Sequence, residues 1–227
     1  LSKVSHSVGA TYKHSKPLSF STNYSRTFRA PTLSDLYANP AFGGNPALKP
    51  ELAKTFEVGG KWQEERWTAS STFFVTRMED EIGFDPNNTD ATHLFGRNNN
   101  FGRTKRAGVE NYVQTQWQPW LKTRASYTFT DAEFRSDSPT AGSFKSGDKI
   151  PLIPRDRYNL DFMFLPLKEW DINLSLLALP KQVLGNDVTN ERNGRRLPAY
   201  TVVDLTTRYR WKSWEFSFGV NNVFDEE

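Results

Sequence analysis

The stretch YRWKSWEFSFGV, residues 209–220, places a tryptophan on each side of a two-residue turn. Beyond the turn, Trp214, Phe216 and Phe218 alternate with Glu215 and Ser217. A period of two is typical of a β-strand with one apolar and one polar face. The stretch therefore predicts a hairpin, and it raises the question of why large apolar side chains lie beside a turn, where water is close.

The same alternation recurs along the chain, and helical periodicity is nearly absent. The pattern predicts an all-β, antiparallel protein with about ten strands. The predicted strands are residues 3–12, 18–29, 51–62, 67–83, 99–117, 121–134, 152–165, 170–182, 199–211 and 214–224.

The predicted connections alternate between short and long. The short ones lie near residues 13–17, 63–66, 118–120, 166–169 and 212–213, and the long ones span about 30–50, 84–98, 135–151 and 183–198. Transmembrane β-barrels have this arrangement, with short turns on the periplasmic side and long loops outside.

All seven tryptophans flank the short connections: Trp62, Trp67, Trp117, Trp120, Trp170, Trp211 and Trp214. Successive turns would place them at one height around a barrel, as an aromatic girdle at the membrane interface. The apolar residues of the opening stretch are therefore predicted to face lipid. The strands are long enough for this, because a tilted span needs about 9–11 residues.

The opposite face of the predicted strands is rich in charge. A charged side chain facing lipid at mid-bilayer costs about 2–4 kcal/mol, so these residues are predicted to face a wet or protein-filled lumen. They are Glu57, Lys61, Glu110, Arg124, Asp161, Asp204, Arg208, Arg210 and Glu215.

Composition narrows the function classes. The net charge is +3, from 29 basic and 26 acidic residues, which is too balanced to predict nucleic-acid binding. The chain has no cysteine and no apolar run of about 18 residues, so thiolate sites and transmembrane helices are not expected. A soluble β-sandwich is the alternative fold, but it explains neither the alternating loop lengths nor the position of the tryptophans.

Residues 28–59, FRAPTLSDLYANPAFGGNPALKPELAKTFEVG, form the most specific stretch of the chain. Its four prolines and the Gly43–Gly44 pair predict about 20 residues without regular helix or strand. The order Phe28-Arg29-Ala30-Pro31-Thr32-Leu33, Leu36-Tyr37, Gly44-Asn45-Pro46 and Pro50-Glu51 resembles the barrel signature of the TonB-dependent outer-membrane receptors. RAGVEN (106–111), IPRDRYN (153–159), LPAYTVVDL (197–205) and FGVNNVFDEE (218–227) also resemble successive strands of that family.

The resemblance implies a 22-stranded barrel with a plugged lumen in the bacterial outer membrane. It also implies active import of a scarce ligand, such as a ferric siderophore, haem or cobalamin. The partners implied are the inner-membrane TonB–ExbB–ExbD complex and, around the barrel, outer-membrane lipid and lipopolysaccharide.

Residues 1–227 are predicted to be a partial barrel domain, the C-terminal half without its last strand. The plug, its TonB-contacting segment and the first half of the barrel are not in this chain. We therefore expect it to be a piece of a larger receptor that does not transport alone.

Ligand recognition is expected on the external loops. Lysine and arginine suit an anionic ferric siderophore, and aromatic rings stack on flat ligands. The candidates are Tyr37, Phe42, His93, Phe95, Arg97, Arg195 and Arg196, with Phe144, Lys145 and Arg192 as further ones.

No catalytic motif, metal site or cofactor is predicted. GSFKSGDK (142–149) lacks the ending of a phosphate-binding loop, and DPNNTD (85–90) reads as a solvated loop tip rather than a calcium loop. An outer-membrane protease barrel and a passive porin are the alternative functions. The first needs paired aspartates and an Asp–His pair at the outer rim, and the second needs an open lumen.

Overall fold

The computed structural model describes residues 3–39, 41, 43–185, 187–190 and 196–226. Ten antiparallel strands form one sheet in which neighbours in space are neighbours in the chain. Its strands are β1 (His6–Lys13), β2 (Leu18–Arg29), β3 (Glu51–Gln63), β4 (Trp67–Asp85), β5 (Arg97–Gln118), β6 (Leu121–Phe134), β7 (Asp156–Leu167), β8 (Trp170–Leu179), β11 (Tyr200–Trp211) and β12 (Trp214–Val220). A short helix, α1 (Leu33–Tyr37), and a two-residue pair, β9 (Gln182–Val183) with β10 (Arg196–Leu197), lie in the long connections.

The register of the strands separates an apolar face from a polar one. Tyr209 pairs with Phe216, and Thr207 with Phe218, so the apolar residues of the opening hairpin share one face. Leu205 and Leu174 pair on the same face. The Phe216 and Phe218 side chains are 54% and 64% exposed, so they lie on the outside of the sheet rather than in a protein core. This confirms the predicted two-faced, partial barrel.

The tryptophan positions fit a tilted barrel. Following the strand pairs from Trp62 on β3 across the sheet leads to Val203 on β11, and Trp211 lies eight residues beyond it. Six strand spacings of about 4.8 Å and eight residues of about 3.3 Å correspond to a tilt of about 42° if the two rings are level. Transmembrane barrel strands tilt by about 35–45°.

Several strand ends differ from the prediction. The strand predicted from 152 begins at Asp156, because Pro151 and Pro154 cannot donate to a ladder. The strand predicted to reach 182 ends at Leu179, before Pro180. The strand predicted to reach 224 ends at Val220. The other strands agree within about three residues, which is the usual scatter of strand ends.

The expectation of about 20 residues without helix or strand after Arg29 is wrong at α1. Pro31 precedes this helix, and Thr32 caps it. A proline before a helix costs no internal hydrogen bond, so the prolines of the loop bracket α1 instead of preventing it.

The largest buried cluster lies at the loop end of the sheet. It contains Phe101, Ala132, Phe134, Phe144, Ile150 and Val188, contributed by strand ends and by two long connections. Among the described residues, no helix is long and apolar enough to cross a membrane. The buried cluster packs the long connections against the strand ends and so holds these connections together.

Candidate functional site

The loop between β2 and β3 is anchored by a charged triad at its base. The Arg29 guanidinium donates two hydrogen bonds to the Glu51 carboxylate, from Nε at 2.8 Å and from Nη2 at 3.1 Å. Its Nη1 donates to Asp35 Oδ2 at 3.2 Å. Glu51 also accepts from the backbone N–H of Ile82 on β4. The triad therefore joins both ends of the loop to the neighbouring strand.

Asp35 has a second role in the capping box of α1, in which Thr32 is the N-cap and Asp35 is the third helical residue. Its carboxylate accepts from the Thr32 backbone N–H at 2.9 Å, and its own N–H donates to the Thr32 hydroxyl at 3.1 Å. The backbone hydrogen bond from Thr32, with further hydrogen bonds from the Thr32 hydroxyl and Arg29, lowers the pKa of Asp35. Leu33 and Tyr37 lie four residues apart on α1 and are both exposed, so the capped helix presents an apolar face to solvent.

Asparagine side chains attach this loop to the outer end of β5. Asn45 Nδ2 donates to the Asn98 carbonyl at 2.7 Å, and the Asn98 N–H donates to the Gly43 carbonyl at 2.9 Å. Asn100 accepts from the Lys49 N–H and donates to the Lys49 carbonyl. A side chain at Gly44 would lie 2.1 Å from the Ala38 carbonyl oxygen, so only glycine fits there.

The connection between β4 and β5 is folded around Asp90. Its Oδ1 accepts hydrogen bonds from the Thr92 hydroxyl and the His93 N–H, and the His93 ring Nδ1 lies 2.8 Å away. These contacts, with that of the Thr92 hydroxyl the largest, lower the pKa of Asp90. His93 Nε2 lies 3.3 Å from the Gly44 carbonyl, so the imidazole bridges two loops.

Asp85 is a fully buried carboxylate at the end of β4. It accepts from the Ser143 hydroxyl at 2.8 Å and from the Asn87 N–H at 3.0 Å. The expectation that 85–90 is a solvated loop tip is therefore wrong for Asp85, because its hydrogen bonds tie the connection after β6 to that after β4. Phe144 packs in this junction, with its ring stacked 4.0 Å from that of Phe134.

The connection after β8 joins the same assembly. Asn190 accepts from the Lys149 N–H at 2.6 Å and donates to the Lys149 carbonyl at 2.9 Å. We call the contacts made by Asp35, Asn45, Asp85, Asn98, Ser143 and Asn190 the loop network. It connects four long external connections into one layer.

The predicted recognition residues that the structure describes fall into three groups. Tyr37, Phe95, Lys145 and Arg196 are exposed at the loop edge. His93 and Arg97 are engaged within the β4–β5 connection, where Arg97 Nη2 donates to Asn88 Oδ1 at 3.1 Å and Nη1 lies 3.7 Å from Asp90. The Phe144 side chain is buried and packs the loops together. Phe42, Arg192 and Arg195 lie outside the described residues.

Sequence reasoning missed the asparagines and Asp85 as organising residues. Asn98, Asn99 and Asn100 are consecutive in the sequence. Asparagine side chains at strand ends can hydrogen-bond to backbone groups that the sheet leaves unpaired, so this run could have indicated their role. The burial of Asp85 had no local signal, because its partner Ser143 is 58 residues away. Within the described residues, no three His, Cys, Asp or Glu side chains are grouped as for a metal ion.

In the described part of the chain, the exposed side chains of the loops suit ligand binding, whereas the Asp90–His93 pair is engaged between two loops through the Gly44 carbonyl. Exposed rings at Tyr37 and Phe95 and the exposed cation at Arg196 suit a ligand with flat groups and negative charge. The loop network fixes the strand ends and connections from which these side chains project.

Comparison with known proteins gives a consistent match. A family model described as "TonB dependent receptor-like, beta-barrel" matches residues 1–223. The chain is 25% identical to the probable TonB-dependent siderophore receptor PiuA of Acinetobacter baumannii, over 98% of the chain and 30% of that protein. It is 26% identical to the vitamin B12 transporter BtuB of Vibrio vulnificus, over 88% of the chain and 29% of that protein.

Among solved structures, the ferric enterobactin receptor PfeA of Pseudomonas aeruginosa superposes with a TM-score of 0.71 at 18% identity, over 97% of this chain and 35% of that one. The chain thus spans about a third of the length of the proteins it matches. These proteins are named for receptors and transporters, not for enzymes.

Proposed function

Since the chain belongs to the TonB-dependent receptor β-barrel family, we propose that it is part of an outer-membrane receptor for active ligand import. In this proposal residues 1–227 supply ten strands of a 22-stranded barrel. The plug, the remaining strands and the TonB-contacting segment belong to the rest of the receptor.

The observation that carries the proposal is the two-faced sheet with a single organised loop edge. Apolar residues such as Phe73 and Phe218 lie on one face, and charged residues such as Glu57 and Asp161 lie on the other. The long connections are all at one end, where the loop network joins them. A receptor needs this combination, because ligand is captured outside and the charged wall faces a plug.

The ligand we propose is a ferric siderophore. Support comes from the exposed rings of Tyr37 and Phe95 and from Arg196 at the loop edge, which suit aromatic, anionic chelates. The relatives named for a siderophore and for vitamin B12 differ in ligand at similar identity, so cobalamin is a competing ligand. Haem is a second competing ligand, which the family resemblance implies. Import would draw energy from the TonB–ExbB–ExbD complex through the plug.

Uptake by the complete receptor tests this function. A strain that lacks the receptor gene is grown with one iron source at a time, and uptake of radioactive iron is followed with and without TonB. We expect uptake from a ferric siderophore that requires both the receptor and TonB. Growth only on haem, or a defect only in cobalamin uptake, would change the proposed ligand but would leave the proposed receptor function in place.

A passive porin is the second function to separate. It predicts TonB-independent flux and a large, steady conductance in planar bilayers, whereas a plugged receptor predicts an occluded lumen. Conductance equal to that of a general porin from the purified complete receptor would contradict the proposal. An outer-membrane protease is disfavoured by the family match. The described residues contain an Asp–His pair, Asp90 with His93, but Thr92 and the Gly44 carbonyl engage it within the loops.

A further inference from the structure

Five cations cluster on the outward face of β2–β5, near the loop end. Arg26 pairs in register with Lys54, Lys54 with Arg77, and Arg77 with Lys105. Arg103 lies two residues further out and pairs with Glu79. These positions have the same parity as Tyr24, Phe56 and Val75 on the apolar face. We call Arg26, Lys54, Arg77, Arg103 and Lys105 the basic patch.

The basic patch lies at the upper border of the apolar band. Lys54 is eight residues beyond Trp62 on β3, Arg77 is ten beyond Trp67 on β4, and Lys105 is twelve from Trp117 on β5. At a tilt of about 42°, each residue adds about 2.4 Å of height, which places these three at about 20–29 Å above the tryptophans. The apolar band of such barrels is about 25 Å tall, and long basic side chains extend toward the headgroups.

The Glu79 carboxylate lies within the basic patch and offsets part of its charge, through electrostatic interactions with Lys54, Arg26 and Arg103. Lys54 pairs with Glu79 at 2.8 Å. Within the described residues, Arg26, Arg77, Arg103 and Lys105 form no ion pair within 4.0 Å. Four positive charges on adjacent strands repel one another, so an anion is the expected occupant of the space between them.

The neighbouring surface has the opposite character. On β6, Asp131 and Glu133 face outward at the same level and hold Lys149, whose Nζ contacts both carboxylates. The basic patch is therefore a bounded site rather than part of a uniform basic belt. Lys54, Arg77, Arg103 and Lys105 also line a cavity of about 620 Å³ together with one carboxylate, Glu79, and Arg135 and Ser146 contribute from the next connection.

We propose that the basic patch binds the phosphate groups of a lipid headgroup in the outer leaflet. Arginine forks match phosphate oxygens with paired hydrogen bonds, and the apolar band directly below accommodates the acyl chains. The continuity of cations with a lipid-facing wall favours a phosphorylated lipid over a free anion. The proposal rests on the outer-membrane placement proposed above but not on the identity of the imported ligand.

Lipid binding to the purified complete receptor tests the site. The probe is lipid A, a phosphorylated and multiply acylated disaccharide, and retained lipid is counted by native mass spectrometry after titration in detergent. The test variant is Lys54→Gln, Arg77→Gln, Arg103→Gln and Lys105→Gln together. The matched control removes cations from the short turns at the other end, as Lys16→Gln, Arg66→Gln and Lys168→Gln.

We expect at least a tenfold weaker affinity for lipid A in the patch variant and no change in the control, because each cation near an anionic lipid surface contributes about fivefold. Added salt should reduce the difference. Equal affinity in the patch variant and the parent would overturn the proposal. So would a preference of the patch for inorganic phosphate over lipid A.

Folding of each variant is checked separately. A folded barrel resists unfolding when it is kept cold in detergent, and each variant is compared with the parent for this resistance. If the quadruple variant fails to fold, the Arg77→Gln and Lys105→Gln pair is measured instead, with at least a threefold loss expected. TonB-dependent uptake assayed on the same variants separates the two proposals. Lost lipid binding with intact uptake in the patch variant supports the site. Lipid binding by the parent receptor without TonB-dependent uptake by that receptor counts only against the transport function.

Discussion

At the scale of single residues, the loop signature is explained by folding rather than by ligand contact. Arg29, Thr32, Asp35 and Glu51 all lie in the stretch that suggested the family. A chain of hydrogen bonds joins them in the loop base, from Glu51 to Arg29, from Arg29 to Asp35 and from Asp35 to Thr32. These residues therefore hold the base of the loop from which the exposed side chains of Leu33 and Tyr37 project.

Glu51→Gln should loosen the loop between β2 and β3. The change removes the charge that Arg29 and the Ile82 N–H both contact, and bonds to charged groups contribute about 1–3 kcal/mol. Hydrogen exchange of the Leu36, Ala38 and Asn45 amides, which are bonded within this loop, should accelerate about 5- to 150-fold.

Glu79→Gln is the matched control for Glu51→Gln. Glu79 forms an exposed pair with Lys54, and exposed pairs contribute about 0–1 kcal/mol. Equal acceleration of the three amides in both variants would contradict the role given to Glu51.

The same loop should respond to acid through Asp35. Its pKa in the folded loop is lowered from 3.8, first by the Thr32 backbone N–H, so its stabilising effect is complete above about pH 4 and is lost as the pH falls below that value. Exchange of the Leu36 amide, corrected for intrinsic rates, should stay constant above about pH 4 and should accelerate as the pH falls below that value. Asp35→Asn should remove this dependence, and an unchanged pH profile in the variant would refute the assignment.

At the scale of the strand, the proposed outer-membrane placement requires the apolar face to contact lipid, and adjacent residues of β8 test this. Leu174→Arg should destabilise the folded barrel by about 2–4 kcal/mol, because the charge enters the bilayer. Ser175→Arg should have little effect, because Ser175 pairs in register with Asp161 and Asp204 on the polar face. The measurement is the denaturant dependence of folding into lipid vesicles, and equal losses would contradict the assigned faces.

The strands could be predicted from the sequence because period two is a local pattern. Apart from the ends at Asp156, Leu179 and Val220, eight observed strand ends differ from the predicted ones, each by one to three residues.

Features that depend on other signals were predicted less well. Pro180 stopped β8 three residues early, and α1 formed between prolines because a helix start tolerates them. The β9–β10 pair could not be predicted, since its two strands meet across residues that carry no alternation.

At the scale of the whole molecule, the sheet has open edges at β1 and β12, each of which pairs on one side within the described residues. Lipid offers no partner to unpaired backbone groups, so the 227-residue chain folded alone should associate through these edges. Light scattering should give a multimer, while the complete receptor stays a single barrel. A monomer with protected β1 and β12 amides would contradict this.

The architecture could be predicted from the sequence, but the loop edge could not. The tryptophan positions and the alternating loop lengths repeat with each hairpin, so they can be recognised in the sequence. The loop network depends on pairs such as Asp85 and Ser143, which lie 58 residues apart and follow no repeat. The predicted recognition residues remain predictions, and Phe42, Arg192 and Arg195 lie outside the described residues.

The buried link between Asp85 and Ser143 affects how this surface would be recognised by antibodies. A synthetic peptide of residues 135–151 would lack the carboxylate that Ser143 contacts and the ring against which Phe144 stacks. Antibodies raised against that peptide should bind the intact cell surface poorly. A useful immunogen, or a chimera that exchanges specificity with a relative, would have to carry the outer segments as a set.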